Sequence, residues 1–156
     1  MDLINYRRRD CREVVIGGKV RMGAGAPVVI QSMTSTSSMD TEASVAQIRR
    51  IAGAGAEIVR LTAQGTREAE NIGRMRAMVD VPLVADIHFN PAAAMAAAAV
   101  VDKVRINPGN FCRPGAGIEE SLLPLLGLCQ EKGTALRIGV NSGSSLSDTL
   151  MVSPIP

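Results

Sequence analysis

The chain has 156 residues, of which 46% are apolar and 2% aromatic, and a formal net charge of +2 with its one histidine neutral. That length and apolar content fit one globular domain with a real core and exclude a disordered chain. The small charge and the near absence of stacking rings argue against DNA, RNA or acidic lipid as a partner.

Taken in chain order, RRRD (7–10) reads as a solvated surface, with a weak anion-binding patch as the minority reading. REVVIGGKVRM (12–22) has the alternation and the Gly17–Gly18 turn of a small hairpin, placed to close the bottom of a barrel like a lid. Short β-branched runs then alternate with helical ones. The predicted strands are VVIQSM (28–33), EIVRL (57–61), VPLVADI (81–87), VDKVRIN (101–107) and ALRIGVN (135–141). The predicted helices cover 41–55, 66–79, 91–100 and 118–133, with Val45, Ile48 and Ile51 or Ile72, Met75 and Val79 at helical spacing. Asn90–Pro91 is an N-cap followed by a proline at the first helical position, and Gly133 a C′ glycine. Pro124 should kink the last helix or mark its true start.

Strand, helix, strand in succession is the βα unit of a parallel sheet. An open, doubly wound sheet would announce itself by a glycine-rich loop after its first strand, whereas that loop is TSTSSMD (34–40). A (β/α)8 barrel makes no such demand. The expected fold is therefore α/β, a TIM-type (β/α)8 barrel represented by its N-terminal portion of about five βα units behind a hairpin. Residues 1–24 form the N-terminal segment and hairpin, 25–147 the five units, and 148–156 an atypical tail. Eight units would need roughly 230–250 residues, so on this reading the barrel stops early.

Strand parity carries the functional signal. Arg60, Asp86 and His88, Arg105 and Asn107, and Arg137 and Asn141 share one face near the carboxyl ends of four strands, with aliphatic side chains opposite. In a barrel the aliphatic face meets the helices and the other face lines the mouth, where active sites sit. An open sheet would bury these charges unpaired. Three guanidiniums converging there suit phosphate oxygens, and the turns PGN (108–110) and GVNSG (139–143) are expected to expose backbone N–H groups. The pocket reads as a site for a phosphate or diphosphate ester. Asp86 either anchors Arg60 or Arg105 or touches a substrate hydroxyl, and His88 serves as a proton donor or a hydrogen bond to substrate.

Cys11, Cys112 and Cys129 are scattered and odd in number. They form no CxxC pair, no zinc or iron–sulfur cage and no disulfide scaffold, and a reducing compartment is expected. The first residues are too charged for a signal peptide, and AAAMAAAAVV (92–101) is about half a bilayer span. A soluble, cytoplasmic protein is expected.

QSMTSTSSMDTEA (31–43), EIVRLTAQG (57–65), VPLVADIHFNP (81–91), VRINPGN (104–110) and LRIGVN (136–141) resemble the N-terminal barrel of the 4-hydroxy-3-methylbut-2-enyl diphosphate synthase family. These are iron–sulfur enzymes of non-mevalonate isoprenoid biosynthesis. The resemblance runs from about Arg7 to Ser147, and HFNP and TAQG look like the larger, three-domain type. It implies a barrel that binds 2-C-methyl-D-erythritol 2,4-cyclodiphosphate through Arg60, Asp86, His88, Arg105, Asn107, Arg137 and Asn141. It implies further a separate domain with a 4Fe-4S cluster on three cysteines and a glutamate. Two electrons passed through that cluster open the ring and remove a hydroxyl, giving 1-hydroxy-2-methyl-2-butenyl 4-diphosphate. Ferredoxin or flavodoxin would be the donor and a homodimer the complete form.

The departures are as specific as the matches. The family's CPxC pair is absent, and so are the later strands that bring a lysine and a catalytic glutamate. The cluster ligands are thus expected outside this chain, which alone would be inactive and hold no cofactor. Ser142, Gly143 and the doubled Ser144–Ser145 replace the usual continuation after RIGVN, and the pattern is lost from about Thr149. Two alternatives stand beside this reading: another phosphate- or pterin-binding barrel of the dihydropteroate synthase kind, and a non-catalytic fragment.

Overall fold

Alternation in the first described residues folds directly into a hairpin of β1 (Val14–Ile16) and β2 (Val20–Met22), with Ile16 opposite Val20. Gly17 and Gly18 make its turn in the left-handed region, at φ of +58° and +68°. The computed structural model describes residues 10–111 and 118–139. The arginines of RRRD, Cys112, Asn141 and the tail from residue 148 lie outside them.

Beyond the hairpin come β3 (Gln31–Met33), α1 (Thr41–Gly53), β4 (Ile58–Thr62), α2 (Thr66–Arg76), β5 (Leu83–Asp86), α3 (Pro91–Ala98), β6 (Lys103–Ile106), a short α4 (Pro108–Phe111), α5 (Ile118–Lys132) and β7 (Ala135–Ile138). The five strands β3 to β7 form one parallel sheet in sequence order. This is the first part of a TIM-type barrel, as predicted.

Local chemistry sets the element ends. Asp40 caps α1 by accepting from the Ala43 N–H at 3.0 Å, and Asn90 caps α3 by accepting from Ala93 at 3.2 Å, with Pro91 following. Glu68 reaches back to the N–H groups of Gln64 and Gly65 at the start of α2, at 2.6 and 2.8 Å. After α5, Gly133 takes φ +68° and Thr134 N–H returns to the Cys129 carbonyl at 2.9 Å. Helix α5 begins before Pro124 and continues past it, so Pro124 is not its start.

Four of the five expected strands are shorter among the described residues: 28–33, 81–87, 101–107 and 135–141 become Gln31–Met33, Leu83–Asp86, Lys103–Ile106 and Ala135–Ile138. The first covers Gln31–Met33 and not 28–33, leaving Val28 and Ile30 exposed. It is the edge of the sheet, has a partner on one side, and follows Pro27. Pro82 has no N–H to donate, and the third strand starts after it, at Leu83.

The helix-facing core joins outward strand residues Val59, Leu61, Ala85, Val104 and Ile106 to Ile48, Ile72, Met75 and Leu125 from the helices. Each valine, leucine, isoleucine or methionine among them contributes roughly 1.5–3 kcal/mol on full burial. Helix α3 presents Ala93, Ala94, Ala97 and Ala98, all fully buried, and their small size lets it lie close to the sheet and to α2.

A second, smaller cluster fills the inside of the bend. Ile16 and Val20 of the hairpin pack with Ile58, Val84 and Ala135, the inward residues at the amino ends of β4, β5 and β7. The hairpin does floor the barrel. Its turn lies against Asp102, whose carboxylate accepts from Leu83 N–H at 2.8 Å and pairs with Arg76.

Candidate functional site at the barrel mouth

Above that floor the inward side chains become polar. Asp86 ends β5 fully buried, flanked by β4 and β6. Arg60 turns both Nε, at 2.9 Å, and Nη2 to Oδ2 of Asp86. Arg105, directly across the β5–β6 register, donates from Nη1 to Oδ1 at 3.1 Å. The carboxylate therefore anchors both arginines rather than one. A buried carboxylate is costly unless paired and hydrogen-bonded, and here two guanidiniums meet that requirement. The arginines keep 26% and 16% of their side chains exposed, so one negative charge holds two positive ones at the edge of solvent.

His88 lies just past β5 with Nε2 3.8 Å from Asp86 Oδ2, too far for a hydrogen bond, and is half-exposed. Arg137, opposite Arg105 in the β6–β7 register, is exposed. Arg60, Asp86, His88, Arg105 and Arg137 thus come to one end of one face. Asn107 is buried and its side-chain oxygen accepts from Gly109 N–H at 3.1 Å.

The turn after β6 differs from its expected form. Residues 108–111 make the helical turn α4, and the N–H groups of Asn110 and Phe111 bond to the Asn107 carbonyl at 3.0 and 2.9 Å. With Gly109 also bonded to Asn107, PGN does not present a row of exposed N–H groups. Proline at the first position suits such a turn.

The serine- and threonine-rich loop after β3 is tied down by α1. Gln47 Oε1 accepts from the N–H groups of Ser35 and Thr36 at 3.0 and 3.1 Å, and the hydroxyls of Thr36 and Ser44 lie 2.8 Å apart. Side chains of α1 therefore fix the path of this loop.

One residue escaped the sequence reading. Lys103 shares the inward face with Arg105 one pleat lower, is 94% buried, and points at the Met22 sulfur at 3.9 Å. Burial first, and the Arg137 charge second, pull its pKa below the usual lysine range. Parity alone would have found it. Gly139, expected as the first residue of the GVNSG turn, lies beside the Arg105 guanidinium.

Among the described residues, no three His, Cys, Asp or Glu side chains come together to hold a metal. Cys11 is exposed and Cys129 buried, with burial pushing its thiol pKa up. This donor set does not fit an iron–sulfur cluster. No helix among the described residues is long and apolar enough to cross a membrane.

Parallel strands with helices outside, a hairpin floor and cationic side chains at the carboxyl end define a TIM-barrel domain with a cationic mouth. The chain belongs to the GcpE TIM-barrel domain family, which matches residues 11–153. Similar curated proteins include the 4-hydroxy-3-methylbut-2-en-1-yl diphosphate synthase (flavodoxin) of Phocaeicola vulgatus, 49% identical over 97% of this chain and 28% of its own length. Proteins of the same name from Leptospira interrogans and Alcanivorax borkumensis are 44% and 43% identical. They cover 94% and 90% of this chain and 25% and 37% of their own lengths. The chain spans between a quarter and about two-fifths of these relatives. The family decides against a dihydropteroate synthase relative.

Proposed function

We propose that the chain is the substrate-binding barrel portion of a 4-hydroxy-3-methylbut-2-enyl diphosphate synthase. The substrate on this reading is 2-C-methyl-D-erythritol 2,4-cyclodiphosphate. Two electrons open its ring at a carbon–oxygen bond to phosphate, a hydroxyl leaves as water, and the product is 1-hydroxy-2-methyl-2-butenyl 4-diphosphate. The observation that carries the proposal is the pair of guanidiniums sharing Asp86 at the barrel mouth.

Arg60 and Arg105 are held by Asp86 on one edge, so each is rigid before the ligand arrives, and little side-chain freedom is lost on binding. Arg137 adds charge from the next strand. His88 stands within reach of the same pocket to donate to a substrate oxygen. Asn107 fixes the turn after β6, and Asn141, outside the described residues, belongs to the same set by its family position. The full protein would take its electrons from flavodoxin, the word in its relatives' names, through a 4Fe-4S cluster with ligands beyond this chain. That complete protein would work as a homodimer in the cytoplasm.

Calorimetric titration of the full-length protein with the cyclic diphosphate is the test. Stoichiometric binding that weakens as salt rises is expected. No binding at any ionic strength would remove the proposal.

A further inference from the structure

We propose that Gly139 is a positioning residue of the anion site, acting through Arg105. The inference rests on reading the mouth as a diphosphate site. Gly139 lies one pleat beyond Arg137 on the inward side of the chain leaving β7, and its N–H donates to the Ile106 carbonyl at 2.8 Å. That bond fixes its α-carbon beside the end of β6. A methyl group there would sit 2.5 Å from Arg105 Nε, 2.7 Å from Nη2 and 3.0 Å from Cζ. All three distances fall well inside the roughly 3.5–4.0 Å of ordinary contact.

Those three atoms belong to one rigid plane, and the remaining corner, Nη1, is held by Asp86. The guanidinium cannot yield at one atom. It must move as a body, losing either the Asp86 bond or its aim. The Nε–Nη2 edge faces Gly139 itself, so the bare α-carbon is the wall against which the guanidinium is seated.

The glycine is there for space, not for backbone freedom. Gly133 has a positive φ and nothing near its missing side chain, whereas Gly139 has no positive φ and is crowded. Alanine at 139 is therefore compatible with the backbone and incompatible with the seated arginine.

The experiment uses the full-length protein as wild type, Gly139→Ala, Arg105→Met and the double variant. Each is titrated with inorganic diphosphate and with the cyclic diphosphate, and its melting is followed. Gly139→Ala should weaken inorganic diphosphate binding by at least about tenfold, as loss of a charge-assisted contact does. In the Arg105→Met background the same substitution should cost nothing further, which a merely structural role would not produce. Wild-type affinity in Gly139→Ala, or losses that add in the double variant, would overturn the inference. If Gly139→Ala fails to fold, recovery of folding in the double variant supports the clash with Arg105, and failure there too refutes it. Wild-type protein that binds inorganic diphosphate but not the cyclic compound would reject the substrate reading and leave Gly139 to be judged by the cycle. Binding of neither would overturn both.

Discussion

Asp86 faces Arg105 directly across two parallel strands and accepts from its Nη1 at 3.1 Å, while Arg60 occupies the other oxygen of the same carboxylate. Replacing Asp86 by Asn keeps the shape and removes the charge, leaving two guanidiniums side by side without a counterion. The variant should lose on the order of 2–4 kcal/mol, somewhat less than a fully buried broken pair because the arginines reach solvent. Denaturant unfolding of the full-length variant checks this, and sulfate should restore part of the loss. Unchanged stability in low salt would show that Asp86 is not the anchor.

Arg105 and Arg49 make a matched comparison. Arg49 is exposed on the outer helix α1 and donates to the Met78 carbonyl, just past the end of α2, at 3.1 Å. Arg105→Met should weaken binding of the cyclic diphosphate by on the order of 2–4 kcal/mol. Arg49→Met should change it little. Equal effects in calorimetry would argue against an anion site at the mouth.

The 156 residues alone should self-associate. Strands β3 and β7 each have one partner among the described residues, and Val28, Ile30 and Ile138 are exposed beside them. Such edges template pairing with another chain. Sedimentation of the isolated chain should show concentration-dependent association, and a monomer with one cooperative unfolding transition would contradict the expectation.

Lys103 gives a pH dependence with a definite sign. Its folded pKa is lowered, so in the alkaline range below the ordinary lysine value the unfolded chain holds more protons than the folded one. The stability contribution from this group therefore rises with pH as the unfolded lysine's pKa is approached. Lys103→Met removes that slope. Unfolding measured between pH 7 and 10 should show the wild type gaining on the variant as pH rises, and parallel curves would contradict it.

The aliphatic faces of the strands and the spacing of Ile72 and Met75 made the barrel legible, because a parallel sheet covered by helices needs that pattern. Arg60, Asp86, Arg105 and Arg137 were legible for the complementary reason: charges repeated at one parity must share a surface. What parity cannot show is who bonds to whom. Asp86 had two candidate partners in sequence and takes both, and Asn107 turned out to organise the turn that follows it. Gly139 was visible as a turn glycine, but its meaning depends on where another strand's side chain lands, and no local pattern records that. Lys103 sits one pleat below the strand ends, where the same alternation continues but a lysine at the start of a strand carries no signal of its burial.

The hairpin beneath the site has a consequence for the radius of the barrel. Ile16 and Val20 share one buried cluster with Ile58 of β4 and Ala135 of β7, strands separated by two others. In a flat sheet those positions would stand about 14 Å apart, three strand spacings, too wide for one small hairpin to fill. The two aliphatic side chains act as a former around which the sheet is rolled. The strands that carry Arg60 and Arg137 rise from that floor, so trimming Ile16 should alter the spacing of the two arginines without touching either of them.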